Sequence, residues 1–132
     1  MVKSVNPVKT LTLLFTLLFS LYGVASEWKV PAKEKAKANP IKPDEKSLAA
    51  GKDLFEKKCQ SCHGETGKGD GKMASMLKEP PGDLTQLGDQ TDGELFYKIS
   101  TGKEPMPGLG KVLSADDRWH VVNYVRALTK KK

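Results

Sequence analysis

Cysteine is scarce in this chain, with two in 132 residues. Two thiols cannot build the web of bridges that holds a small disulfide scaffold together. Histidine is as sparse, at two, so a four-ligand zinc site would have to recruit carboxylates. No stretch of useful length alternates polar and apolar residues as a half-buried strand does. The length leaves no room for a two-domain enzyme. Charged residues at 29% and hydrophobic residues at 38% exclude both a disordered chain and a polytopic membrane protein.

The net charge of +6 suggests nucleic-acid binding until it is located. Residues 1–26 carry Lys3 and Lys9 and no acid; residues 27–46 carry six lysines against four acids; Lys130, Lys131 and Lys132 close the chain. The remaining segment, 47–129, has eleven basic and twelve acidic residues, a balance of −1. The excess sits in a leader, an arm and a tail. A compact part without a basic, aromatic-interleaved face excludes nucleic acid as the partner.

The leader runs from basic to apolar to small: Lys3 and Lys9, then Leu11 to Val24, then Ala25 and Ser26 before Glu27. That order predicts a secretory signal peptide cleaved after Ala25 or Ser26. The competing expectation is an uncleaved anchor, for which the seventeen uncharged residues 10–26 stand at the short end of the ~17–25 that span a bilayer. Both readings carry the rest of the chain across the membrane. It is then exported, to the periplasm or, if anchored, to the outer face of the cytoplasmic membrane. Residues 27–46 hold three prolines and six lysines and read as a linker or extended arm. Trp28 leaves two expectations open: an indole left wet near a terminus, or an arm packed on the domain through Trp28 and Val30.

From Ser47 onward the period is helical. One helix is predicted from Leu48 to Cys59, with Gly51 and Phe55 on its inner face. A second starts at Asp92 as N-cap, runs through Leu95, Phe96 and Ile99, and stops at Gly102. A third starts at Ser114, with Asp117 completing a variant capping box, and carries Val121, Val122, Val125 and Leu128. A short turn around Met73–Lys78 completes the set. The predicted class is all-α, with three main helices plus a short helical turn over 47–129 and a basic tail at 130–132. So small a helical domain buries only a little over ~60% of its surface, and a large apolar cofactor would supply the missing centre.

The sequence contains an attachment point for one. Cys59-Gln60-Ser61-Cys62-His63 is a CxxCH string. Thiols at i and i+3 near a helix end face one way and can each bond a vinyl group of a haem, while His63 at i+4 from Cys59 lies where its imidazole can bind iron. This is the c-type haem attachment signal. A redox dithiol would call for a βαβ context that is missing, and a plain disulfide would leave His63 unexplained.

A haem held by one histidine has a sixth iron position to fill. Met73 and Met76 follow the attachment site closely, where packing is the ordinary role of methionine. His120 lies between Trp119 and Val121 in the last helix, as a packed histidine would. Met106 lies between Pro105 and Pro107, which restrict the backbone around it, 43 residues after His63. A thioether held so rigidly points to Met106 as the ligand; the alternative is a solvent-facing methionine in a proline-rich turn.

CQSCH, the loop GETGKGDGK, EPPGDLT, TDGELFYKISTG, EPMPG and SADDRWHVVNYVRAL together resemble a small bacterial monohaem class I cytochrome c over residues 47–129. The arm, with Trp28-Lys29-Val30-Pro31 and Asn39-Pro40, is similar to an extension some such proteins carry. The resemblance implies the class I cytochrome c fold, with the first helix crossing the last, Gly51 and Phe55 facing Val121 and Tyr124. It implies one covalent haem c on Cys59 and Cys62, with His63 and Met106 as metal ligands. It also implies a hydrogen bond from His63 to a proline carbonyl, here Pro81 or Pro80. The function implied is a periplasmic one-electron carrier rather than an enzyme, most consistent with a monomer that meets redox protein partners transiently. Lys58, Lys103 and Lys111 are the candidates for a positive rim. Membrane contact is expected only if the leader stays uncleaved. The alternatives are a haem-based gas sensor or peroxidase-like enzyme with an open sixth iron position, and a non-haem thiol protein.

Overall fold

The computed structural model describes residues 27–129. The leader and the basic tail lie outside the described residues, and the signal-peptide and anchor readings lie there with them. The described chain is all-α. It contains α1 (Ala32–Lys35), α2 (Glu45–Lys58), α3 (Gln60–His63), a 3₁₀ turn (Ala74–Met76), α4 (Asp92–Thr101) and α5 (Ala115–Leu128).

The three predicted helices form, the first two with shifted caps. Helix α2 begins at Glu45, before Leu48, because the Asp44 carboxylate accepts the Ser47 N–H at 2.8 Å and caps the first turn. The expected 46/47 boundary between arm and domain therefore falls within the first turn of a helix. Helix α4 is capped by Thr91, not by Asp92. Thr91 Oγ1 accepts the Glu94 N–H at 3.1 Å while Glu94 accepts the Thr91 N–H at 2.8 Å, a full capping box. Ser114 caps α5 as predicted, accepting the Asp117 N–H.

The core forms where α2 crosses α5. Phe55, Val121 and Val122 are almost completely buried, each contributing ~1.5–3 kcal/mol relative to exposure. A side chain at Gly51 would place its Cβ 2.1 Å from the His120 carbonyl oxygen, so glycine lets the two backbones touch. One turn along, the rings of Phe55 and Tyr124 meet at 5.2 Å, tilted by 56°. Helix α4 packs against α5 through Phe96 stacked on Trp119, with the Arg118 guanidinium also over the Phe96 ring.

The arm is packed. Val30 is buried, Lys35 pairs with Glu94 at 3.1 Å, and Thr91 Oγ1 donates to the Lys35 carbonyl at 2.7 Å. A Cβ at Gly93 would strike the carbonyl oxygens that end α1. Further along, Asn39 donates to Asn123 at 2.8 Å, and Asn123 donates to the Ile41 carbonyl and to Ser47 Oγ. Of the two expectations for residues 27–46, the packed arm is the one that forms. Beside Val30 and Lys35, the arm is held by main-chain carbonyls and a pair of asparagines, which its run of prolines and lysines did not announce.

Candidate haem site

Where α2 ends, the chain continues as a further helical turn. The Cys59 N–H bonds to Phe55 and closes α2, while Cys62 and His63 donate back to the Cys59 carbonyl at 3.2 and 2.9 Å. This turn is α3, and it sets both sulfurs and the imidazole along one wall. The cysteines are free thiols. Burial, and then the neighbouring Cys62, push the Cys59 thiol up to about 11.

His63 Nδ1 lies 3.2 Å from the Gly82 carbonyl oxygen. The partner is therefore neither Pro80 nor Pro81 but the residue just past them. A Cβ at Gly69 would come within 2.5 Å of the Pro81 carbonyl oxygen and 3.4 Å of the Gly82 one. Gly69 has φ +81 and donates to the His63 carbonyl at 2.7 Å, which ties the glycine loop to the same segment. Burial lowers the pKa of His63, with the Gly82 bond opposing. A neutral imidazole that donates from Nδ1 keeps the Nε2 lone pair for a metal.

In the loop after α4, Lys103 and Met106 pair through two backbone bonds of 3.0 and 2.8 Å, and the Glu104–Pro105 peptide is cis. Gly102, at φ +63, admits the backbone of Gly108 and Met106 where a side chain would collide. The loop is thus closed on itself with Met106 half-buried against the core. Cys59, Cys62, His63 and Met106 all line one cleft of about 370 Å³, a size ordinary for a cofactor site. Its walls are largely apolar, with Phe55, Leu87, Leu95, Ile99 and Val125 among them. Pro80, Pro81 and Gly82 line it too.

The other candidates lie elsewhere. Met73 and Met76 are 41% and 67% exposed and do not line the cleft, and His120 Nδ1 is engaged with Ser47 Oγ at 2.8 Å. Lys58 and Lys103 stand at the cleft; Lys111 does not line it. Sequence reasoning missed Gly82, Gln90 and Lys98 as cleft residues. Lys98 had a signal: with Leu95 and Ile99 it forms an i, i+3, i+4 set, a lysine on the buried face of α4.

Residues 46–125, more than half of the chain, match the protein family described as cytochrome c oxidase, cbb3-type, subunit III. The chain belongs to this cytochrome c family. It is 32% identical over 85 residues to the cytochrome bc1 complex cytochrome c subunit of Corynebacterium diphtheriae, covering 64% of this chain and 28% of that one. It is 35% identical over 81 residues to cytochrome c6 of Microcystis aeruginosa, covering 61% of this chain and 96% of that one. A reducing HAO-like protein complex of Kuenenia stuttgartiensis contains a chain that superposes with a TM-score of 0.63 at 35% identity, over 67% of this chain and 46% of that one. This cytochrome c thus matches a small relative nearly end to end, and spans little more than a quarter of the bc1 subunit.

One covalent haem c is the cofactor of this cytochrome c, and the residues present fit it. The cleft offers two unjoined thiols one helical turn apart, a neutral imidazole and a thioether, set in apolar walls.

Proposed function

We propose that this cytochrome c is an exported one-electron carrier. Cys59 and Cys62 would hold its haem c through thioether bonds, and His63 Nε2 and the Met106 sulfur would bind its iron. When bound, the haem supplies an iron that cycles between ferric and ferrous states and so takes up and returns one electron.

The observation that carries this reading is the gathering of Cys59, Cys62, His63 and Met106 on one apolar cleft. The chain's part is to hold ligands still. Gly82 fixes the imidazole plane through Nδ1, and the Lys103–Met106 bridge fixes the loop that carries the thioether. Both ligands are neutral, so neither needs to lose a proton to bind. Leu87, Ile99 and Val125 keep water from the walls, which limits the rearrangement that accompanies each change of charge. With His63 and Met106 both binding the iron, no position would remain for a substrate, which disfavours the sensor and peroxidase-like readings. The protein works as a monomer that meets redox protein partners briefly, with Lys58 and Lys103 at the rim of the cleft. It resides in the periplasm, or at the outer face of the cytoplasmic membrane if the leader remains.

The test is a set of methionine variants in the holoprotein. Met106→Ala lowers the midpoint potential, since His/Met ligation raises it, and removes the sulfur-to-iron band of the ferric form. Met73→Leu and Met76→Leu change neither. An unchanged potential and spectrum in Met106→Ala would overturn the ligand assignment.

A further inference from the structure

Lys98 is a half-buried ammonium in an apolar wall. Trp28, Gln90 and Lys98 line the same cleft as the cysteines, although they come from the arm, a loop and α4. Lys98 Nζ donates to Gln90 Oε1 at 2.5 Å and lies 5.6 Å from the centre of the Trp28 ring. Gln90 is itself fixed, since its Nε2 donates to the Leu87 carbonyl and its own carbonyl accepts from Arg126. Both neighbours of the ammonium are therefore neutral and held in place.

A desolvated cation with neutral partners is costly unless an anion meets it. Burial pulls Lys98 below the usual lysine range, with Glu94 pulling the other way and Lys35 adding to the burial effect. Glu94 is not available as the counter-ion, because one oxygen pairs with Lys35 and the other accepts the Thr91 N–H. Glu79, Asp83 and Glu104 line the cleft as well, yet among the described residues none of them pairs with Lys98. A haem is an apolar macrocycle that carries two carboxylates, and the cleft has to receive both kinds of surface.

We propose that Lys98, held by Gln90 and flanked by Trp28, binds a carboxylate of the haem, which makes the arm part of the cofactor site. The assignment rests on the haem c reading above. Trp28 acts as a positioning residue that shields the ammonium from water, and Gln90 sets its direction. The anchoring arm of Asn39 and Lys35 is what brings Trp28 to this wall.

The experiment is redox-induced infrared difference spectroscopy on holoprotein whose haem carries isotope-labelled carboxylates. Lys98→Met is expected to shift the labelled carboxylate stretch and lower the midpoint potential, and Lys98→Arg to keep both near wild type. Gln90→Met leaves the lysine in place and is expected to shift the same band less; it decides the matter if Lys98→Met yields no holoprotein. Labelled bands that superimpose on wild type in the variants recovered would overturn the proposal. A pyridine haemochrome on the same samples separates the two levels. If no haem c is attached, the cofactor reading falls and this one with it; if it is attached and the bands are unmoved, only the Lys98 assignment falls.

Discussion

At the scale of single residues, the site depends on groups kept neutral. Cys59 and Cys62 as thioethers carry no charge, burial lowers the pKa of His63 and so favours its neutral imidazole, and Met106 is a thioether with nothing to ionise. Cys59→Ser leaves one thioether, through Cys62. Mass spectrometry and the pyridine haemochrome should show holoprotein reduced severalfold and bearing a singly attached haem. Wild-type yield with the wild-type haemochrome would contradict the attachment. The thiols, the histidine and the methionine were legible in the sequence because each is a rare chemical type in a fixed string. Gly82 was not, because its contribution is a backbone carbonyl that any residue possesses. The doubled Pro80-Pro81 pointed to the right loop and missed the oxygen by one position, since the tertiary path of the loop decides which carbonyl meets the imidazole.

At the scale of elements, the helices follow from their caps and apolar stripes, while their joining follows from tertiary contacts. Thr91 and Glu94 close the start of α4 and also tie it to the arm through the Lys35 carbonyl and ammonium. The Glu94 carboxyl is held below its ordinary range, first by the Thr91 N–H it accepts and then by Lys35. A carboxylate with a lowered folded pKa stabilises the fold above its unfolded pKa of ~4.3, and that contribution is lost as pH falls through the folded value. Glu94→Gln should therefore melt below wild type near neutral pH, and the two melting curves should converge in acid; a gap that persists at low pH would contradict this. The sequence reading took Asp92 as the cap because it precedes the apolar run. Thr91 wins because an N-cap needs extended backbone, which Thr91 has at φ −77 and ψ 162, and a glutamate three residues on.

At the scale of the whole molecule, a thin helical core is completed from two sides. The α2–α5 crossing, anticipated from Gly51 and Phe55, forms one side. The arm forms the other: Trp28 and Val30 left its packing open in the sequence, and what holds it down includes main-chain carbonyls and a pair of asparagines 84 positions apart. Deleting residues 27–42 removes Val30, the Lys35–Glu94 pair and the Asn39–Asn123 bond together. Losing even one net hydrogen bond of ~1 kcal/mol lowers the melting temperature by roughly 4–8 °C in a domain of this size. The shift should be at least that large, and indole fluorescence should change with the loss of Trp28. An unchanged melting temperature would mean the arm is a tether.

The central claim is that the chain itself closes both axial positions of the iron, which makes the protein a carrier rather than a catalyst or sensor. Carbon monoxide added to the reduced holoprotein at neutral pH tests it most directly. The visible spectrum of the wild type should be unmoved, while that of Met106→Ala should shift to the carbon monoxide form. A wild-type spectrum that shifts at once on addition of the gas would show an open iron and contradict the account.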